Sequence, residues 1–280
     1  MASTVEEKVA IVTGGGSGIG EALCLALGRN STHVVVADID ETSATRVASA
    51  VESAGGRATV SVVDVANEQD VRHLVEQTAA AHGRLDYMFN NAGIAILGDA
   101  RDLTLEHWRK VLDIDLYGVL YGVLAAYPIM ARQGFGHIVN TSSGAAFFPD
   151  PGNAPYCTAK HALVGLSLSL RLEGADLGVN VSAVCPGYVQ TKIYDNAVAI
   201  NVPHDKAVRR PVRTVGAARA AQEILSGVAR NEPLIVFPAY TRRDRRIYQR
   251  SPGKIERNLL RRMREVRKHR GLASGPGARS

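Results

Sequence analysis

The feature that most restricts this chain is a junction. Val9-Ala10-Ile11-Val12-Thr13, a short β-rich run, ends in Gly14-Gly15-Gly16-Ser17-Gly18-Ile19-Gly20 and passes straight into a helical pattern from Glu21 to Arg29. Strand, glycine loop and helix in succession turn backbone N–H groups and a positive helix end toward one point, and glycine lets an anion approach the main chain. A glycine loop alone is common; its flanking elements here are the ones the chemistry requires. The next unit repeats the design, with His33 to Ala37 as a buried strand and Asp38 at its carboxyl end, eighteen residues after Gly20. A carboxylate there accepts hydrogen bonds from both hydroxyls of an adenosine ribose and repels a 2′-phosphate. No Lys or Arg lies between Gly14 and Gly20 or directly follows Asp38, so NAD is favoured over NADP. A helix-capping aspartate is the plainer alternative.

Strand-like and helical stretches then keep alternating. Ala58 to Val63 is strand-like and ends at Asp64-Val65; Asn67 caps a helix to about His82; Leu85 to Phe89 runs into Asn90-Asn91-Ala92-Gly93. Further strands are read at His137 to Thr141, Val179 to Cys185 and Leu234 to Phe237. Helices are read from Thr104 to about Arg132, kinked at Pro128, from Tyr156 to about Leu177, and from Thr214 to about Arg230. Such alternation implies a parallel sheet covered by helices on both faces. Ligands gather at the carboxyl ends of its strands, where Asp38, Asp64 and Asn91 fall.

At 280 residues and 46% hydrophobic content the chain can bury the core of one large α/β domain. Its apolar runs stop short of the roughly 18 residues of a membrane span, and Glu6 and Glu7 stand where a signal peptide would be apolar. A cytoplasmic location is the expectation. Cys24, Cys157 and Cys185 have no metal-ligand spacing, so no metal is called and reduced, buried thiols are expected.

The chemistry is read from Tyr156-Cys157-Thr158-Ala159-Lys160, which places a phenol and an ammonium on one helix face. A free tyrosine titrates near pH ~10, and a general acid/base at neutrality needs a pKa roughly two to three units lower. A unit charge at about 4 Å in an effective dielectric near 20 is worth roughly 4 kcal/mol. Lys160 is therefore of the right size. The spacing alone also arises by chance on solvated helices.

Together, Thr13-Gly14-x-x-x-Gly18-x-Gly20, Asn90-Asn91-Ala92-Gly93, Tyr156-x-x-x-Lys160 and Pro186-Gly187-Tyr188-Val189-Gln190-Thr191 resemble the short-chain dehydrogenase/reductase family over about residues 5 to 240. The resemblance implies a doubly wound, Rossmann-type α/β domain with a seven-stranded parallel sheet, a nicotinamide cofactor, and oxidation of an alcohol or reduction of a ketone. It implies a cofactor bed of Gly14, Ser17, Gly18, Ile19, Gly20, Asp38, Asp64, Val65, Asn91, Ala92 and Gly93. Pro186 and Gly187 would join the cofactor bed, with the Val189 backbone and the Thr191 hydroxyl holding the nicotinamide carboxamide. In the implied mechanism Ser143 holds the substrate oxygen, the Tyr156 phenolate takes the alcohol proton, and Lys160 lowers the tyrosine pKa and grips the nicotinamide ribose.

One position departs from the family. Where it has an asparagine before Leu-x-Gly, whose carbonyl holds a water on the lysine, this chain has Asp115 in Asp115-Leu116-Tyr117-Gly118. A carboxylate near Lys160 stabilises its ammonium form and should alter the pH–rate profile. The family also implies a substrate lid over 192 to 211. Phe147, Phe148, Tyr188, Ile193 and Tyr194 would then form a greasy pocket for a hydrophobic secondary alcohol or ketone. By the same analogy the helix opened by Tyr156 joins subunits into a homodimer or homotetramer. A dinucleotide-binding regulatory or scaffold protein without turnover is the alternative from another class.

The net charge of +6 is unevenly placed: residues 242 to 270 hold thirteen Lys/Arg against three acids. Ile255, Leu259, Leu260, Met263 and Val266 recur there at helical spacing, so 241 to 270 reads as a basic amphipathic extension. It can dock on its own body or a sister subunit, lie on an anionic membrane surface, or meet an acidic partner. The second reading would make the protein a peripheral membrane reductase of lipid-like ketones. Nucleic acid is poorly supported, with only Tyr240 and Tyr248 as interleaved aromatics. Residues 271 to 280, rich in Gly, Ala and Ser, read as a disordered tail.

Overall fold

The computed structural model describes residues 7–208 and 213–270. The expected disordered tail at 271 to 280, the lid positions 209 to 211 and residues 5 and 6 lie outside them. The chain opens with β1 (Lys8–Thr13), α1 (Gly18–Arg29), β2 (Thr32–Asp38), α2 (Glu41–Ser53), β3 (Arg57–Val62), α3 (Glu68–His82) and β4 (Tyr87–Asn90). After β5 (Ile96–Leu97) come α4 (Leu105–Leu112), α5 (Gly118–Gln133), β6 (Gly136–Thr141), α6 (Ala154–Glu173) and β7 (Val179–Pro186). Short elements follow: β8 (Val189–Gln190), β9 (Val198–Ala199), α7 (His204–Ala207) and β10 (Val215–Gly216). The described chain ends with α8 (Ala217–Ala229), β11 (Leu234–Phe237), α9 (Ala239–Arg250) and α10 (Pro252–Lys268).

Seven strands form one sheet in the order β11-β7-β6-β4-β1-β2-β3, and every neighbouring pair is parallel. Parallel strands are covered on both faces, which is why they read as unbroken Val/Ile/Ala runs. β1 shows the division of labour. Ala10 and Val12 enter a core with α1, α2 and α8, whereas Val9 and Ile11 enter the opposite core with α3, α5 and α6. The chain starts in the middle of the sheet, winds outward to β3, and returns to lay β4 on the other side of β1. That reversal opens a crevice at the carboxyl ends of β1 and β4.

Local signals explain several helix ends. The Asn67 side chain accepts from the Gln69 N–H at 3.0 Å to start α3, as expected. Thr104 and His107 cap the first turn of α4 reciprocally. The long helix differs from expectation. It continues through Pro128 to Gln133, and its departure from α geometry falls at Asp113–Tyr117, a single π-helical turn between α4 and α5. By length and composition Leu105–Gln133 would suffice to cross a membrane, contrary to the sequence reading. Here Val119, Val123, Ala126 and Met130 are buried in the core beside β4 and β6.

Candidate active site

The glycine loop closes tightly on the next strand ends. Gly14 has a φ of +62°, and a side chain on Gly20 would put its Cβ 2.0 Å from the Gly14 carbonyl oxygen. Only glycine satisfies both positions. Ser17 is the N-cap of α1 but makes no side-chain capping bond, so its hydroxyl and the first-turn N–H groups remain available to an anion. At the end of β2, Asp38 accepts from the Gly16 N–H at 2.8 Å and from the Asp40 N–H at 3.0 Å. These bonds hold the carboxylate against the loop, with acceptor capacity to spare.

Asn91 laces three strand ends together. Its amide donates to the Thr13 carbonyl at 3.1 Å, and its side-chain oxygen accepts from the Thr141 hydroxyl at 3.4 Å. The Thr13 hydroxyl in turn accepts from the N–H groups of Asn91 and Ala92. Behind this, Asn90 donates to Asn140 at 2.9 Å, Asn140 to Ser167 at 3.0 Å, and Ser167 to the Leu163 carbonyl at 2.7 Å. This buried chain ties β4 and β6 to α6, the helix that carries Tyr156 and Lys160, and no sequence argument pointed to it. Ser142 adds a further tie by donating to the Lys160 carbonyl at 2.7 Å.

A cavity of about 220 Å³ runs along these strand ends. Of the expected cofactor residues, Gly14, Ser17, Gly18, Ile19, Asn91, Ala92, Gly93, Pro186, Gly187, Val189 and Thr191 line it, together with Ser143, Tyr156 and Lys160. Gly20 backs the loop from behind. Asp38, Asp64 and Val65 are not in the lining. Asp64 is exposed after β3 and accepts from the Ala66 N–H at 2.9 Å, while Val65 packs against Gly118.

Lys160 is buried, and its Nζ donates to the Thr141 carbonyl at 3.0 Å and stands 3.1 Å from Asp115 Oδ2. Asp115, wholly buried in the π-helical turn, accepts from the Ile94 N–H at 2.8 Å through its other oxygen. Burial pushes the Asp115 carboxyl up, and the Lys160 ammonium pulls against that. The same ammonium lies 5.3 Å from the centre of the Tyr156 ring. Burial also raises the phenol above its usual range, the Asp115 carboxylate adds to the rise, and the Ser143 hydroxyl opposes it by hydrogen bonding. The lowering expected from Lys160 is therefore not what the buried phenol shows: burial and the Asp115 carboxylate outweigh the one bond that lowers it, from Ser143.

A second cavity, of about 430 Å³, shares Ser143 and Tyr156 with the first. Of the residues expected in a substrate pocket, Phe148, Tyr188, Ile193 and Tyr194 line it. Phe147 does not line either cavity. It turns to the cluster of Ala183, Cys185 and Val236, with the Arg245 guanidinium 4.4 Å from its ring centre, because it caps a single 3-10 turn, Gly144–Ala146, from which successive side chains leave in different directions. The segment from 192 is more structured than a plain loop, since β9 pairs with β5 and Ala197, Val202, Ala207 and Val208 are buried. The larger cavity also takes Tyr240 from α9 and Ile255, Leu259 and Arg262 from α10, none of which was anticipated as lining. Ile255, Leu259, Met263 and Val266 lie at least partly buried, so most of the apolar stripe of the extension is turned to the protein's own body, whereas Leu260 is exposed.

The comparisons agree with this architecture. The family described as short chain dehydrogenase matches residues 8–200. Cyclohexanol dehydrogenase of Acinetobacter sp. (strain SE19) is 36% identical over 194 residues, 69% of this chain and 77% of that protein. A 2,5-dichloro-2,5-cyclohexadiene-1,4-diol dehydrogenase of Sphingobium indicum is 39% identical over 200 residues, 70% of this chain and 78% of that protein. A short chain dehydrogenase/reductase from Burkholderia phymatum, solved in complex with NAD, superposes with a TM-score of 0.81 at 28% identity. That match covers 89% of this chain and 95% of the other.

Proposed function

The chain belongs to the short-chain dehydrogenase family and is an oxidoreductase of that type, and on that premise we propose that it moves a hydride between NAD(H) and a hydrophobic secondary alcohol or ketone. One observation carries the reading: Ser143, Tyr156 and Lys160 share a cavity with the glycine loop and with the Pro186-to-Thr191 segment.

The residues fit a dinucleotide. The cradle that a Cβ on Gly20 would close, and the free Ser17 hydroxyl at the start of α1, suit a pyrophosphate. The Asp38 carboxylate suits an unphosphorylated adenosine ribose, the sugar of NAD. Asp64 and Val65 are assigned to the adenine side, and Val189 and Thr191 to the carboxamide. When bound, NAD supplies the hydride acceptor or donor.

The protein's own part is proton transfer and positioning. Ser143 holds the substrate oxygen, and Tyr156 passes the proton to or from it. Lys160, fixed by the Thr141 carbonyl and Asp115, stands 5.3 Å from the centre of the Tyr156 ring. The same phenol serves both directions: as phenolate it takes the alcohol proton in oxidation, and as phenol it returns the proton in ketone reduction. The cytoplasm is the proposed location, with 192 to 211 as the substrate lid and a homodimer or homotetramer as the assembly. NADH absorbance across a panel of alicyclic alcohols and ketones tests the reading, with NADP(H) as comparator. The Asp115–Lys160 pair favours the second reading, a dinucleotide-binding protein without turnover. Tight NAD binding with no turnover on the panel would select it.

A further inference from the structure

The family match ends at residue 200, yet the larger cavity is bounded in part by α10, more than fifty residues beyond it. Ile255 and Leu259, one helical turn apart, present their apolar side chains to the same space as Ser143 and Tyr156. The helix is fastened by three arginines that reach separate acids on the body. Arg262 lies 3.2 Å from Asp150, Arg267 2.8 Å from Asp99, and Arg270 2.7 Å from Asp102. Asp99 and Asp102 follow β5, and Asp150 precedes α6, so the acids flank the segments that bound the cavity. Asp99 and Asp102 have side chains almost wholly buried, at 4% and 6% exposure.

We propose that α10 is the specificity wall of the substrate cavity: Ile255 and Leu259 form the surface against which a bulky, neutral alcohol or ketone is measured, and the three arginine–aspartate pairs hold that surface in register. The proposal rests on the oxidoreductase reading above. Charge and volume define the substrate class. Among the described residues Arg262 is the cation in the lining and is matched by Asp150, and the other lining acid, Asp244, is paired with Arg243, so the cavity offers no uncompensated charge to an ionised substrate. A volume of about 430 Å³ falls within the range of sites for drug-sized ligands. A neutral alicyclic alcohol of two or more rings fills such a space better than a single six-membered ring.

The test uses the full chain with NAD, cyclohexanol and 2-decalol, and reads the ratio of kcat/KM for the two alcohols. The parent should favour 2-decalol. Leu259→Trp, which fills the wall, should lower that ratio by roughly tenfold or more, chiefly through KM. Ile255→Ala, which recedes, should shift preference toward still larger alcohols, and NAD affinity reports whether each variant is folded. Arg267 is a positioning residue: Arg267→Ala should raise KM for 2-decalol with little change in kcat, and Arg267→Lys should restore it. Turnover of both alcohols with an unchanged ratio in both wall variants overturns the wall alone. Turnover of neither alcohol by the parent, despite NAD binding, overturns the proposed hydrophobic alcohol chemistry and the wall with it. An Arg267→Ala protein that matches the parent removes the fastening.

Discussion

Asp115 and Lys160 form a buried ion pair, 3.1 Å between carboxylate oxygen and ammonium, with 0% and 3% of their side chains exposed. The lysine on which proton chemistry is proposed to depend therefore has an anion as its nearest charged neighbour. Asp115 also raises the tyrosine it faces. Asp115→Asn removes that influence, so Tyr156 should titrate at lower pH. Oxidation requires the phenolate, and its rising limb should move toward neutrality. Each unit of movement gives about tenfold more rate at a fixed pH below the limb. Full pH–rate profiles of parent and variant decide it, and superposable curves would leave the carboxylate without a role in the chemistry.

Tyr156→Phe removes the proton-transfer group while keeping the ring beside Lys160. The loss in kcat should be about 10²- to 10⁴-fold. NAD affinity, measured by fluorescence titration, should stay close to the parent's. A variant that turns over normally would take the proton away from this phenol.

Asp38→Ser tests the choice of dinucleotide. The carboxylate is held by the Gly16 and Asp40 N–H groups, and hydrogen bonds to a charged group are worth about 1.5–3 kcal/mol. The variant should lose roughly ten- to a hundredfold in affinity for NAD and gain relative acceptance of NADP. Unchanged discrimination in parallel titrations would place the selectivity elsewhere.

The docking of α10 should survive mild acid. Asp99 is held well below the usual carboxylate range, first by Arg101 and then by Arg267, and Asp102 is held low by Arg270. A depressed folded-state pKa contributes stability above the unfolded value of about 3.9 that is lost as pH falls through the folded value. Protection of α10 amides, by hydrogen exchange corrected for intrinsic rates, should stay flat from neutrality to about pH 5 and fall only below the ordinary carboxylate range. Asp99→Asn should weaken it at neutral pH by about 1 kcal/mol, a modest figure because the Arg267 side chain is half exposed. Equal protection in parent and variant at pH 7 would mean that packing alone holds the helix.

Much of the sheet was legible because a strand buried on both faces leaves an unbroken β-branched run, as in β1, β2 and β7. The glycine loop was legible because close backbone approach admits one residue type. Phe147 was misplaced because two adjacent phenylalanines look alike in sequence while the backbone sends one to the cavity and the other beneath Arg245. A kink in the long helix was expected at Pro128, whose missing donor is visible in the sequence, but the π-helical turn at Asp115 has no such mark. The wall supplied by α10 was hidden for a different reason. Its partners Asp99 and Asp150 lie more than a hundred residues away, and local periodicity shows only that a helix has an apolar side.

The strand order carries a consequence for how the protein is made. Because the polypeptide begins at the centre of the sheet, the glycine loop, Asp38 and the β3 end are all synthesised before residue 66, whereas the phenol and amine come from α6 and the outermost neighbour of β7 from 234 to 237. In order of synthesis, the residues proposed to meet the pyrophosphate and the adenosine ribose therefore precede the proposed proton-transfer pair.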